Sequence, residues 1–202
     1  MHFFEDRPPH RPDEEDPPPP MPEWFGPPDA VLGGVVPQNL VLARTEHLFV
    51  GLTALTAYPT GLLVPLVLAA RRQELPRERW EAVEAAFWAD QGHRPGRPQA
   101  GDGVLRLGVE LADGRRTETQ DRFPPFFDDS RDPPVLVEHR GEGSGGSYRQ
   151  DKRISLWLWP LPEGDTLTLV LQWPDVDLPL TSARIELEPV REALARVTPY
   201  WS

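Results

Sequence analysis

Apolar and polar residues alternate most clearly between residues 154 and 178, ISLWLWPLPEGDTLTLVLQWPDVDL. Ile154, Leu156 and Leu158 share one face, with Ser155, Trp157 and Trp159 on the other. After a short break, Leu167, Leu169, Leu171 and Trp173 alternate with Thr166, Thr168, Val170 and Gln172. A period of two predicts strands with one buried face, here a β-hairpin packed on a core.

The same pattern recurs along the chain. Residues 39–44 read as a strand, and residues 48–58 and 62–71 as a hairpin turning at Pro59-Thr60-Gly61. Proline and glycine suit a turn because one fixes φ and the other tolerates φ > 0. The arm 62–71 is apolar on both faces, which predicts a place in the middle of a sandwich or under a helix. Pro65 lacks a ladder donor and predicts an edge or a bulge. Residues 103–112 form another strand, and Asp113-Gly114 turns it into a partner over 115–120. A strand starts at 135–139, a flexible glycine loop is predicted over 141–146, and 148–159 returns from it. A last short strand is predicted over 183–187.

Two stretches switch to helical period. Over 76–90, Trp80, Val83 and Phe87 fall on one face among alanines that favour helix, and Pro76 suits the first turn. Over 189–197, Val190, Leu194 and Val197 share a face. Eight or nine strands with mostly short connections predict a mainly β protein. The expected architecture is an antiparallel β-sandwich with two helices at an end or an open side.

Residues 1–22 break the pattern, with eight prolines and six acids against two arginines. Few apolar residues and dense proline predict a disordered, extended tail. The division is therefore a tail over 1–22 and a single domain over 23–202. Phe3 and Phe4 are candidate anchors if the tail docks on a partner.

The strings RTEHLFVGLTALTAYPTG, GVLRLGVELADGRR and LWLWPLPEGDTLTLVLQWP resemble a family of uncharacterised actinobacterial proteins across most of residues 35–201. The resemblance implies a soluble, cytoplasmic, β-rich domain and brings no activity or catalytic residues.

Charge and composition narrow the chemistry. The net charge of −11 disfavours general nucleic-acid binding. With no cysteine there is no disulfide, thiol nucleophile or thiolate zinc site. The first ten residues lack the features of a secretory signal, and the longest apolar run, 62–70, is far shorter than a membrane span, so a cytoplasmic location is expected. The basic residues are arginines except for Lys152.

Motif by motif, catalysis finds little. The string RGEGSGGSYR has P-loop glycine spacing but no lysine, and a strand rather than a helix follows. Ser144 lacks the glycine two residues before it that a nucleophile elbow needs. His47 and His139, at strand positions, could meet in space. Acidic loops (Asp128, Asp129 and Asp132; Glu163 and Asp165; Asp175 and Asp177) are candidate calcium ligands, although the last two pairs flank one strand and cannot converge. Arg71, Arg72, Arg77 and Arg79 are candidates for an anion site.

Trp157 and Trp159 face away from the leucines of their strand. Either the 76–90 helix covers them or they form an aromatic surface for a carbohydrate, a proline-rich peptide or another subunit. The function expected is a non-enzymatic protein-interaction or structural module, without cofactor, that binds a protein partner or its own copy. The alternatives are a hydrolase or transferase with a loop-built acid and histidine site, and a calcium- or ligand-dependent binder.

Overall fold

Alternation builds the strands, and closure of the sheet decides how they assemble. The computed structural model describes residues 21–88, 104–120 and 131–201. In chain order the elements are β1 (Val31–Leu32), β2 (Gly34–Arg44), β3 (Leu48–Tyr58), β4 (Gly61–Arg71), α1 (Arg77–Phe87), β5 (Arg106–Leu111) and β6 (Arg116–Gln120). There follow β7 (Val135–Gly146), β8 (Arg149–Trp159), β9 (Thr166–Trp173), a 3-10 turn (Pro174–Val176), β10 (Leu178–Glu186), α2 (Glu188–Leu194) and β11 (Thr198–Pro199).

The protein is mainly β with two helices, as expected. Its strands do not form two facing antiparallel sheets, however. One nine-stranded sheet runs β10-β9-β5-β6-β7-β8-β4-β3-β2, and its edge strands β2 and β10 touch, so the sheet is a nearly closed barrel. A sandwich and a barrel need the same inward and outward alternation, so the pattern alone does not separate them. The sheet is also mixed. β6 and β7 run parallel, with Thr119 opposite Leu136 and Gln120 opposite Val137. The fourteen residues between them, 121–134, are long enough for the crossover a parallel pair requires.

The hairpin expected over 154–178 does not form. β8 pairs with β4 and β7, whereas β9 pairs with β5 and β10. Residues 160–165 cross from one wall to the other, held where the Leu161 N–H donates to the Thr60 carbonyl at 3.1 Å. The predicted faces are correct: Ile154, Leu156 and Leu158 meet Leu167, Leu169, Leu171 and Trp173 in one core, from different walls. The hairpins β3–β4 and β5–β6 form as expected, and Gly114 takes φ +87 in the second turn. Between Leu52 and Thr56, β3 bulges opposite Pro65, which resolves the edge-or-bulge alternative for this central strand.

The expected glycine loop over 141–146 is strand. β7 stays paired with β8 to its end, Gly146 opposite Arg149, and only Ser147 and Tyr148 turn. The glycines serve close approach. A Cβ on Gly143 would lie 2.7 Å from the Trp88 ring, and one on Gly145 would collide with the Gln150 carboxamide.

Both helices pack into the core. α1 buries Trp80, Val83, Ala86 and Phe87, and the Phe87 ring lies 4.8 Å from that of Trp173. Lys152 is buried, and its Nζ donates to the Phe87 carbonyl at the C-terminal end of α1 (3.5 Å), where a cation complements the helix dipole. α2 packs on β2 and β3 and buries Val190 and Ala193.

The segment 1–20, with Phe3 and Phe4, lies outside the described residues, as do Asp128 and Asp129 and the end of the expected 76–90 helix beyond Trp88. Among the described residues no helix is long and apolar enough to cross a membrane.

Candidate functional site

Trp157 and Trp159 are covered, but by a different element from the one expected. Trp157 is fully buried in a small cluster on the outer face of the sheet, with Trp24, Val135 and Val137. The cover is the turn at the start of the domain. The Trp157 indole donates to the Glu23 carbonyl at 2.9 Å, and its ring meets Tyr58 edge-on at 5.7 Å. Half-buried Trp159 points its Nε1 toward Glu23 Oε2 at 3.4 Å. The pair therefore anchors the N-terminal turn, and a partner would reach Trp157 only by displacing residues 23–26. α1 packs in the main core instead.

The histidines fall into different settings. His139 is the extra residue of a bulge in β7, between Glu138 and Arg140, and its ring packs on Gly26. His47 sits in the β2–β3 turn, where the Thr45 hydroxyl accepts from the backbone N–H groups of His47 (3.3 Å) and Leu48 (3.0 Å). Such hydroxyl-to-backbone bonds stabilise tight turns.

This turn divides two clefts. The larger, about 330 Å³, has Arg44, His47, Phe49, Ala69, Arg71 and Arg149 in its walls. That volume is within the usual range for a ligand site. The small side chains of Ala69 and Ala70, where β4 would otherwise continue its leucines, leave the space. The second cleft, about 210 Å³, lies between the turn and α1, against Leu75, Arg79, Val83 and Asp177.

The larger cleft carries positive charge on a negative chain. Arg44 sits 5.5 Å above the Phe49 ring. Arg71 uses Nε to donate to the Glu46 carbonyl at 2.8 Å, and its remaining guanidinium donors are left for other partners. Arg72 stands beside exposed Tyr148, 5.9 Å from its ring centre. Among the described residues Arg44, Arg71 and Arg72 make no ion pair, whereas Arg77 is taken by Glu81, Arg79 by Asp177 and Arg149 by Asp151. The hydrogen-bonded carboxylate of Asp151 also holds the Arg149 guanidinium above its ordinary pKa.

The four arginines singled out in the sequence are thus split. Arg71 contributes to the cleft, Arg72 lies outside its walls beside Tyr148 and Leu75, and Arg77 and Arg79 are committed elsewhere. Arg44, Phe49 and Arg149 complete it from other strands, and only the register Arg44–Phe49 and Arg71–Arg149 brings them together. Chemically the cleft offers guanidinium donors, an imidazole and an aromatic face, a set suited to carboxylates.

The other candidates gain less. Asp165 is held by Arg191 and Asp177 by Arg79, and among the described residues no group of three His, Asp or Glu side chains converges as metal ligands would. Compared with known proteins, the chain matches no family model, no curated sequence and no solved structure.

Proposed function

We propose that the chain is a cytoplasmic, non-enzymatic interaction module that holds an acidic peptide segment of a partner protein in the cleft beside His47. The observation that carries this reading is the pair Arg44 and Arg71 in the walls of the cleft, which make no ion pair among the described residues of a chain of net charge −11. Guanidinium groups without intramolecular carboxylates are available to a ligand's carboxylates. The Phe49 ring beside Arg44 offers apolar contact to the same peptide. The overall negative charge favours a short acidic segment presented to this local patch over a nucleic acid.

The test is fluorescence anisotropy with a labelled hexaglutamate peptide. Saturable binding that weakens with salt and falls about tenfold in Arg71→Ala and in Arg44→Ala is expected, since one charged hydrogen bond is worth about 1.5–3 kcal/mol. Equal binding by the wild type and both variants removes the reading.

A hydrolase or transferase is the second reading. His47 Nδ1 is buried without a hydrogen bond, and Nε2 lies 3.9 Å from Glu46 Oε2. Against it, the Thr45 hydroxyl in the same turn already accepts two backbone bonds. Turnover of a chromogenic ester that is lost in His47→Gln and kept in Arg71→Ala decides for the enzyme.

A further inference from the structure

The main core reaches the surface at the second cleft, beside the arginines of the first. We propose that the acidic peptide carries an aliphatic side chain close to its acid, and that this second cleft is the pocket that receives it. The inference rests on the reading of the larger cleft as an acidic-peptide site.

The pocket begins with β4. Its inward row runs Leu62, Val64, Leu66 and Leu68 and ends in Ala70, whose methyl group fills less space than the leucines before it. At that end buried Leu48, Ala70 and Val83 line the cleft of about 210 Å³. Half-buried Leu75 and Val176 form its other apolar walls, and both pack against the same core. Leu75 is held in a turn, where its N–H donates to the Arg72 carbonyl at 2.9 Å. An apolar cavity of about 150 Å³ accepts a benzene molecule, so this cleft has room for one aliphatic side chain.

The charges assign the two clefts to different residues. Arg71 Nε is fixed to the Glu46 carbonyl at 2.8 Å, and Glu46 and His47 stand in the walls of both clefts. A carboxylate on the remaining donors of Arg71 therefore sits beside the divide. On the far side Arg79 is paired with Asp177, and the Glu46 carboxylate, 3.9 Å from His47 Nε2, adds negative charge. A second acid is repelled there, whereas an uncharged side chain buries its surface against Leu48, Leu75, Val83 and Val176.

Spacing completes the match. In an extended peptide, side chains two residues apart share a face, about 6.4–6.8 Å from one another. A peptide that crosses the turn at His47 therefore sets an acid on the arginine side and, two residues on, an aliphatic side chain in the second cleft. Charge complementarity on one side and apolar contact on the other define a single occupant, a partner segment with an acid and a leucine separated by one residue.

Fluorescence anisotropy on the full chain compares two labelled peptides, Glu-Glu-Glu-Gly-Leu-Gly and Glu-Glu-Glu-Gly-Gly-Gly. The leucine peptide is expected to bind about tenfold more tightly. Val176→Phe, which fills the cleft, and Leu75→Asn, which makes its wall polar, are each expected to bring that ratio to about one. Arg71→Ala is expected to weaken both peptides. In the wild-type chain, a peptide with a diazirine analogue in place of the leucine is expected to cross-link to Leu48, to Val176 or within Leu75–Val83, a readout that needs no variant to fold. A preference that survives in either variant, or cross-links confined to other segments, overturns the pocket. If the two peptides bind equally and Arg71→Ala weakens both, the pocket fails and the acidic-peptide site stands. If neither peptide binds, both are removed.

Discussion

The Trp157 indole N–H donates to the carbonyl of Glu23, 134 positions earlier in the chain, at 2.9 Å. This bond makes the N-terminal turn a structural part of the barrel wall. Trp24, next in sequence, is buried over the same cluster, with the Arg131 guanidinium 4.5 Å above its ring. Trp24→Ala is expected to cost about 3 kcal/mol and to lower Tm by roughly 6–12 °C. An unchanged Tm would show that the turn is a loose appendage.

The glycines of β7 give a contrast within one strand. Gly143→Ala and Gly145→Ala place a methyl against Trp88 and Gln150, and each is expected to destabilise by about 1–3 kcal/mol. Gly146→Ala meets no atom within 4 Å and is expected to be neutral or slightly stabilising. Equal, small effects at the three positions, read from urea unfolding, would mean that the segment behaves as an open loop.

These residues show where sequence is informative and where it is silent. Alternation identified the inward faces of β8 and β9, because burial depends on which way a side chain points. It did not identify partners: β8 and β9 looked like a hairpin and are separate walls, since any inward-facing leucine row satisfies the same pattern. Glycine at 141–146 signalled freedom of the chain, yet at Gly143 the missing side chain makes room for Trp88, the residue that caps α1 and lies 55 positions earlier. The cleft was half visible. Arg71 stands out in the sequence, but Arg44 and Arg149 join it only through strand register.

Gln150 ties the β7–β8 end to α1. Its carboxamide accepts from Trp88 Nε1 at 3.0 Å and donates to Glu84 Oε1 at 2.8 Å and to the Gly146 carbonyl at 3.0 Å. Gln150→Leu keeps the volume and removes all three bonds at a buried position. A loss of about 2–3 kcal/mol is expected by urea denaturation; a neutral result would leave the network without energetic weight.

Tyr58 gives the fold an alkaline limit. Burial, with a smaller contribution from Tyr200, raises its pKa above the ordinary tyrosine value. The folded state therefore holds this proton more tightly than the unfolded chain. The resulting stability is complete below the ordinary value and is lost as pH rises through the raised one. Tyr58→Phe is expected to flatten that decline in Tm above about pH 10. An identical decline in wild type and variant would assign the limit to other groups.

The parallel pair β6–β7 has a consequence for the whole ring. A ring of nine strands that reverse direction at every step cannot close on an antiparallel pair, because an odd number of members leaves the first and last pointing the same way. One repeated direction restores the parity. With β6 and β7 aligned, β2 and β10 meet head to tail at the seam. The one irregular step in the wall is therefore what lets its two ends face each other in the sense that every other neighbour in the barrel adopts.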